Sequence, residues 1–93
     1  MEKVLTIDGR QVRFKSTGAF LLRYKAQFGR DAIRDILKLQ QVINEKNEIT
    51  NVEALDLEIF YNLIWMLAKT ADPDLPPPME WLDSFSEFPL ADI

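Results

Sequence analysis

Residues 52–71, VEALDLEIFYNLIWMLAKTA, predict a long helix with apolar residues on nearly every side. A helix of that composition is normally the central one of a domain, covered by other elements on several sides. At about 100° per residue, its few polar side chains fall on one narrow stripe. That stripe consists of Glu58, Asn62, Lys69 and Asp72, and Trp65 lies on it too.

Trp65 has two interpretations at this level. In the first, the chain after Pro73 folds back and covers the indole. In the second, Trp65 is an exposed aromatic anchor for a partner, since tryptophan is over-represented among the residues that dominate binding energies. The sequence leaves both open.

Residues 3–14, KVLTIDGRQVRF, predict a β-hairpin at the N-terminus. The Asp8-Gly9 pair between two β-prone runs favours a two-residue type I′ turn, which needs positive φ at both central positions. The predicted cross-strand pairs are Ile7–Arg10, Leu5–Val12 and Lys3–Phe14. This register puts the apolar side chains Leu5, Ile7, Val12 and Phe14 on one face. A lone hairpin is marginal in water, so that face must pack on helices.

Further helices are predicted at about 18–29, 31–46 and 79–85. Gly29 suits the end of the first, and Asp31 suits the cap of the second. In the second helix we expect Ile33, Ile36, Leu37 and Ile43 to form the buried stripe, with Asp35 on the solvated side. The proline-rich residues 72–78 cannot be helical and should run extended. We therefore predict a single α+β domain over residues 1–93, with the hairpin packed on a small bundle of three main helices plus a short C-terminal helix.

The composition argues against catalysis. Among the 93 residues there is no cysteine and no histidine, so the chain lacks thiol nucleophiles, the commonest general base and the commonest metal ligand. The acidic pairs Asp72/Asp74 and Glu80/Asp83 have no partner residues that suggest hydrolysis or cation binding. We expect no catalytic, cofactor-binding or metal-binding residues and no enzymatic activity.

Charge is divided between the two halves of the chain. Residues 1–46 hold ten Lys/Arg and five Asp/Glu, whereas residues 47–93 hold one Lys and ten Asp/Glu. The halves either fold against each other and mix their charges or present a basic and an acidic face that steer association. A third interpretation is a small nucleic-acid-binding regulator that uses the basic N-terminal half, although a pI near 4.7 argues against it. The basic cluster consists of Arg10, Arg13, Lys15, Arg23 and Lys25.

No segment of the sequence predicts export or membrane insertion. The longest apolar run, residues 59–68, is shorter than the about 20 residues that span a bilayer. The N-terminus, MEKVLTIDG, lacks the apolar stretch of a secretory signal. We expect a cytoplasmic protein that does not bind membranes.

Three stretches carry a resemblance to a known family. They are LLRYKAQFGRD at 21–31, FYNLIWMLAKTADPDLPPPMEWLDSF at 60–85 and FPLADI at 88–93. These stretches follow a short hairpin with an Asp-Gly turn, and together they resemble the tail assembly chaperones of long-tailed phages and prophages of Gram-positive bacteria. The most specific blocks are Arg-Tyr-x-x-x-Phe-Gly-(Lys/Arg)-Asp, starting at Arg23, and Ala-Lys-Thr-Ala-Asp-Pro followed by Pro-x-x-Trp-Leu-Asp-x-Phe, between Ala68 and Phe85.

The resemblance implies a non-enzymatic protein of the host bacterial cytoplasm. Such chaperones bind the tape-measure protein, recruit tail-tube subunits and are absent from the mature virion. A longer form is often made by ribosomal frameshifting, and members usually continue past Phe-Pro-Leu with a further helix. We therefore expect the natural chain to extend beyond Ile93.

The candidate protein-binding residues lie in two places. One is the polar stripe of the central helix, and the other is the polar strip of the second hairpin strand. Together they are Trp65, Glu58, Asn62, Lys69, Gln11, Arg13 and Lys15. We expect the tape-measure and tail-tube proteins as partners, and self-association of the chain.

Overall fold

The computed structural model describes residues 1–42, 45–46 and 56–88. Over these residues the chain forms one two-stranded antiparallel sheet and four helices, which confirms the α+β class. The elements are β1 (Glu2–Ile7), β2 (Arg10–Lys15), α1 (Phe20–Phe28), α2 (Ala32–Gln40), α3 (Leu57–Ala71) and α4 (Pro78–Asp83).

The hairpin has the register that its turn predicts. Asp8 and Gly9 have φ values of 53° and 74°, the positive values that a type I′ turn requires. Ile7 pairs with Arg10, and the ladder runs without a bulge to Glu2 and Lys15. One face of the hairpin is therefore apolar, and it packs through β2 against α3.

Helix α3 is central, as its composition predicts, because β2, α1, α2 and α4 all contact it. It begins at Leu57, not at residue 52, because Asp56 is extended and its carboxylate accepts from the N–H groups of Glu58 and Ile59 at 3.1 and 3.3 Å. An aspartate in this position satisfies amides that lack helical partners. Residues 52–55 lie outside the described residues.

Helices α1 and α2 join through a tight connection. Gly29 ends α1 in the left-handed conformation, with φ of 68°, and its N–H donates to the Lys25 carbonyl. Asp31 then caps α2 by accepting from Ile33 N at 3.0 Å. Helix α2 ends at Gln40, not at residue 46, because the Val42 N–H turns back to the Leu39 carbonyl. Residue 43, which we expected in the buried stripe, lies outside the described residues.

The predicted buried stripe of α2 is wrong for Ile33 and Leu37, which are 52% and 54% exposed. The expectation that Asp35 is solvated is also wrong, because Asp35 is 3% exposed. The side that faces the rest of the fold carries Ala32, Asp35, Ile36 and Leu39. The helix is rotated in this way because Asp35 has polar partners in the interior, described below.

The chain after α3 runs through prolines into a short helix and an aromatic cluster. Helix α4 starts at Pro78, so the expectation that residue 78 is extended is wrong; a proline is tolerated at the first helical position because an N–H there would have no helical partner. The helix ends at Asp83, two residues before the predicted end. Trp81, Phe85 and Phe88 form an edge-to-face set with centroid distances of 5.2, 5.4 and 5.9 Å. These rings extend the core of α3 toward the hairpin turn.

Among the described residues, no helix is both long enough and apolar enough to cross a membrane.

Candidate protein-binding site

A buried polar cluster joins α1 to α2. The Tyr24 hydroxyl donates to Asp35 Oδ2 at 2.7 Å. The Arg30 guanidinium donates to both carboxylate oxygens of Asp35, at 2.8 and 2.9 Å. Tyr24 is fully buried and Asp35 nearly so. A bidentate arginine and a phenol together satisfy a carboxylate that would otherwise be costly to bury.

The cluster shifts the titration of its members. The hydrogen bonds from Arg30 hold the pKa of Asp35 below its ordinary 3.8, with help from Tyr24, although burial opposes them. Burial first, and then the neighbouring Asp35 carboxylate, raise the pKa of Tyr24 well above its ordinary 10.0. Asp35 is therefore charged and Tyr24 neutral at neutral pH.

Five residues of the first block of the family resemblance have structural roles, namely Tyr24, Phe28, Gly29, Arg30 and Asp31. Tyr24 and Arg30 hold Asp35, Gly29 ends α1 and Asp31 caps α2. The Phe28 ring lies 5.0 Å from the Tyr24 ring and 5.9 Å from that of Trp65, which links α1 to α3. This block specifies the packing of three helices.

Trp65 is covered by the proline segment. It is 3% exposed, and its indole N–H donates to the Pro76 carbonyl at 2.9 Å. Lys69 fastens the same segment, because its Nζ donates to the Pro73 and Leu75 carbonyls at 2.6 and 3.0 Å. The interpretation of Trp65 as an exposed anchor is therefore wrong, and the alternative that the chain after Pro73 covers it is confirmed.

The other predicted residues of the α3 stripe are not brought together as one open surface. Glu58 is exposed in the first turn of α3, whereas Asn62 and Lys69 are half-buried. Asn62 lies close enough to Tyr24 to oppose the rise of its pKa slightly. The stripe thus serves mainly to hold α1 and the proline segment on α3.

The predicted strip on β2 is open. Gln11 and Arg13 are exposed, and neither forms a hydrogen bond or ion pair with another described residue. Lys15 is half-buried and has its Nζ 3.9 Å from a Glu2 carboxylate oxygen on the paired strand. Protein binding by Gln11, Arg13 and Lys15 stays a prediction. All three side chains lie on the outer face of the hairpin, where a partner could reach them.

Some side chains of the basic cluster in the N-terminal half form contacts within the protein itself. Arg10 donates to the Ser84 hydroxyl at 2.9 Å and lies 4.0 Å above the centre of the Phe85 ring. Lys25 donates to the carbonyl of Gly29 at 3.3 Å. The two ion pairs between described residues, Lys15–Glu2 and Arg30–Asp35, both lie within the basic half. In the described part of the chain, the two halves therefore do not neutralise each other through direct ion pairs.

Helices α1 and α2 carry exposed apolar side chains that the sequence pattern did not indicate. Ile33 and Leu37 lie one turn apart on the outer side of α2, and Leu22 on α1 is 76% exposed. An apolar pair at i and i+4 normally lies in the core of a protein, so helical periodicity alone predicts that Ile33 and Leu37 are buried. The usable signal was Asp35, which together with Ala32, Ile36 and Leu39 defines a second inward-facing stripe on the same helix.

Within the described part of the chain, no three acidic side chains lie close enough to hold a metal ion. Comparison with known protein families, with curated proteins and with solved structures gave no match to this chain.

Proposed function

We propose that this chain is a non-enzymatic phage tail assembly chaperone, which binds the tape-measure protein and tail-tube subunits in the host bacterial cytoplasm and is absent from the mature virion. The proposal rests on the resemblance of residues 21–31, 60–85 and 88–93 to that family. It is supported by one structural observation, the exposed apolar pair on α2.

Ile33 and Leu37 are more than half exposed and adjacent on one helix face. Exposing two aliphatic side chains side by side forgoes roughly 1.5–3 kcal/mol of burial for each, so this arrangement is unfavourable unless another surface covers the pair. An i, i+4 apolar pair is also the contact that a helix offers to a second amphipathic helix. A long helical client would present such faces repeatedly.

Several residues of the stretches that carry the resemblance hold the fold together. Tyr24, Gly29, Trp65 and Trp81 are core or turn residues. Because these four side chains serve the fold, the recognition surface must be sought among outward side chains.

The nucleic-acid alternative has less support. Arg10 and Lys25 contact the protein itself, and Lys15 faces Glu2, so the basic cluster is not a free row of phosphate contacts. Nucleic-acid binding of this kind would weaken steeply as salt rises. A mobility-shift assay with duplex DNA and with RNA at low salt separates the two functions, because we expect no shift.

The direct test is co-expression of the tagged chain with the tape-measure protein of the same genome, followed by affinity purification. We expect the two to purify together. The double variant Ile33→Glu/Leu37→Glu should lose the complex, whereas Met79→Glu should keep it. Met79 is a matched control, because it is 73% exposed but lies on α4.

Circular dichroism should show that both variants are folded. If the wild-type chain and the tape-measure protein do not purify together, the proposed function is wrong. If the double variant binds like wild type, the function stands and the α2 surface is not the site.

A further inference from the structure

We propose that the free edge of β2, with the cleft beside it, binds an extended acidic segment of a partner protein, which adds to the hairpin as a third strand. This site is separate from the α2 surface and does not depend on the proposed function.

The backbone of β2 is available for pairing along its outer edge. The Met1 and Ser16 backbones exchange hydrogen bonds at 3.1 and 2.9 Å, which sets the alternation of the ladder. Residues at even positions of β2 thus bond to β1, while Gln11, Arg13 and Lys15 direct their N–H and C=O groups away from it. Within the described part of the chain these groups have no hydrogen-bond partner. An unpaired edge of this kind is a template for another strand.

A cleft of about 190 Å³ opens beside this edge. Residues 10–13 of β2 line one side, and Ala68, Asp72, Leu75 and Trp81 line the other. No β1 residue lines it, so it lies on the side of β2 where a third strand would pair. A cavity of roughly 150 Å³ already holds a benzene-sized ligand, so this cleft has room for an aliphatic side chain.

A strand added about 4.8 Å from β2 would send alternate side chains to the two faces of the sheet. Those on the inner face would enter the cleft against Leu75 and Trp81. Those on the outer face would lie beside Gln11, Arg13 and Lys15, where opposite charges on neighbouring strands are favourable. The geometry therefore selects an extended segment in which acidic and apolar residues alternate.

The charges around the edge favour an acidic occupant. Arg13 has no described partner, and Arg10 is held at the cleft by Ser84 and Phe85. Among the described residues that line the cleft, Asp72 is the one acid, and its carboxylate already accepts from the Asp74 N–H at 3.0 Å. β1 is less suited to such a segment, because its outer face carries Glu2, Val4 and Thr6, and its one base, Lys3, lies on the same face as the apolar side chains.

The test uses the full chain and a synthetic peptide of eight residues that alternates glutamate with valine, blocked at both ends and labelled with a fluorophore. Fluorescence anisotropy at low ionic strength should show saturable binding. Hydrogen exchange followed by NMR should show new protection at the amides of Gln11, Arg13 and Lys15. Arg13→Glu should weaken binding by about fivefold or more, because a favourable cross-strand charge pair becomes a repulsive one.

Three controls are matched to the proposal. Arg34→Glu makes the same charge change at an exposed position of α2 and should leave peptide affinity unchanged. A peptide with lysine in place of glutamate should not bind. A glutamate–valine peptide with N-methyl groups on the amides that face β2 should bind at least tenfold more weakly.

The proposal is overturned if the glutamate–valine peptide does not bind, or if N-methylation or Arg13→Glu has no effect. It is also overturned if protection appears at Glu2, Val4 and Thr6 instead, since that would place the strand on β1. Failure here leaves the tape-measure experiment untouched, because the peptide assay contains no tail protein.

Discussion

The Tyr24 hydroxyl and the Asp35 carboxylate, 11 residues apart in sequence, are joined by a buried hydrogen bond of 2.7 Å. This bond, with the bidentate contact from Arg30, turns the acidic residue of α2 inward and leaves Ile33 and Leu37 outside. A contact that stabilises the fold thus also creates the surface that we propose for client binding.

We predict that Asp35→Asn destabilises the protein by roughly 2 kcal/mol, less than the 3–5 kcal/mol of a fully buried pair, because Arg30 is partly exposed and screened by water. Tyr24→Phe should cost roughly 1–2 kcal/mol through the lost hydroxyl contact. Urea unfolding at neutral pH measures both. Asp83→Asn, at an exposed position, is the control and should change little. Equal stability of Asp35→Asn and wild type would contradict the role of the cluster.

The pH dependence of stability should follow from the same carboxylate. In the folded protein the pKa of Asp35 is lowered below 3.8, chiefly by Arg30. The contribution of Asp35 to the free energy of unfolding is therefore complete above that value and disappears as the pH falls through the folded pKa. Between about pH 5 and about pH 2.5, the free energy of unfolding should therefore fall less in Asp35→Asn than in wild type. Some dependence should remain, since bonds from the Ser86 backbone and hydroxyl also lower the pKa of Asp8. Identical slopes for the two proteins would refute this assignment.

Gly29→Ala should destabilise the protein by about 1–2 kcal/mol, because Gly29 has φ of 68° and an alanine there is strained even without a clash. Gly18→Ala is the matched control. Gly18 does not have a positive φ, and an added Cβ there meets nothing within 4 Å. We expect it to be neutral or slightly stabilising in thermal unfolding. Comparable losses for both variants would show that the left-handed turn after α1 is not the cause.

The two tryptophans should both behave as buried fluorophores. Trp65 and Trp81 are each 3% exposed, so the folded protein should emit at short wavelength and resist quenching by acrylamide. A Leu22→Trp variant supplies an exposed indole for comparison and should be quenched readily. Strong quenching of both tryptophans in the wild-type protein would mean that the proline segment does not cover Trp65.

Local sequence chemistry was enough to predict the hairpin and the central helix. Asp8-Gly9 sets the turn, the turn sets the register and the alternation of Leu5, Ile7, Val12 and Phe14 sets the apolar face. Likewise Gly29 and Asp31 mark the boundary between α1 and α2, because a left-handed turn and a side-chain cap depend on adjacent residues alone.

The rotation of α2 and the burial of Trp65 depend on contacts between segments that are distant in the sequence. Helical periodicity could not choose between the stripe with Ile33 and the stripe with Asp35, since that choice depends on whether a buried carboxylate finds Tyr24 and Arg30. The burial of Trp65 depends on a carbonyl 11 residues away reaching its indole N–H. The exposure of a side chain depends on which segments pack against it. The spacing of residues along one helix does not show which distant segments will form those contacts.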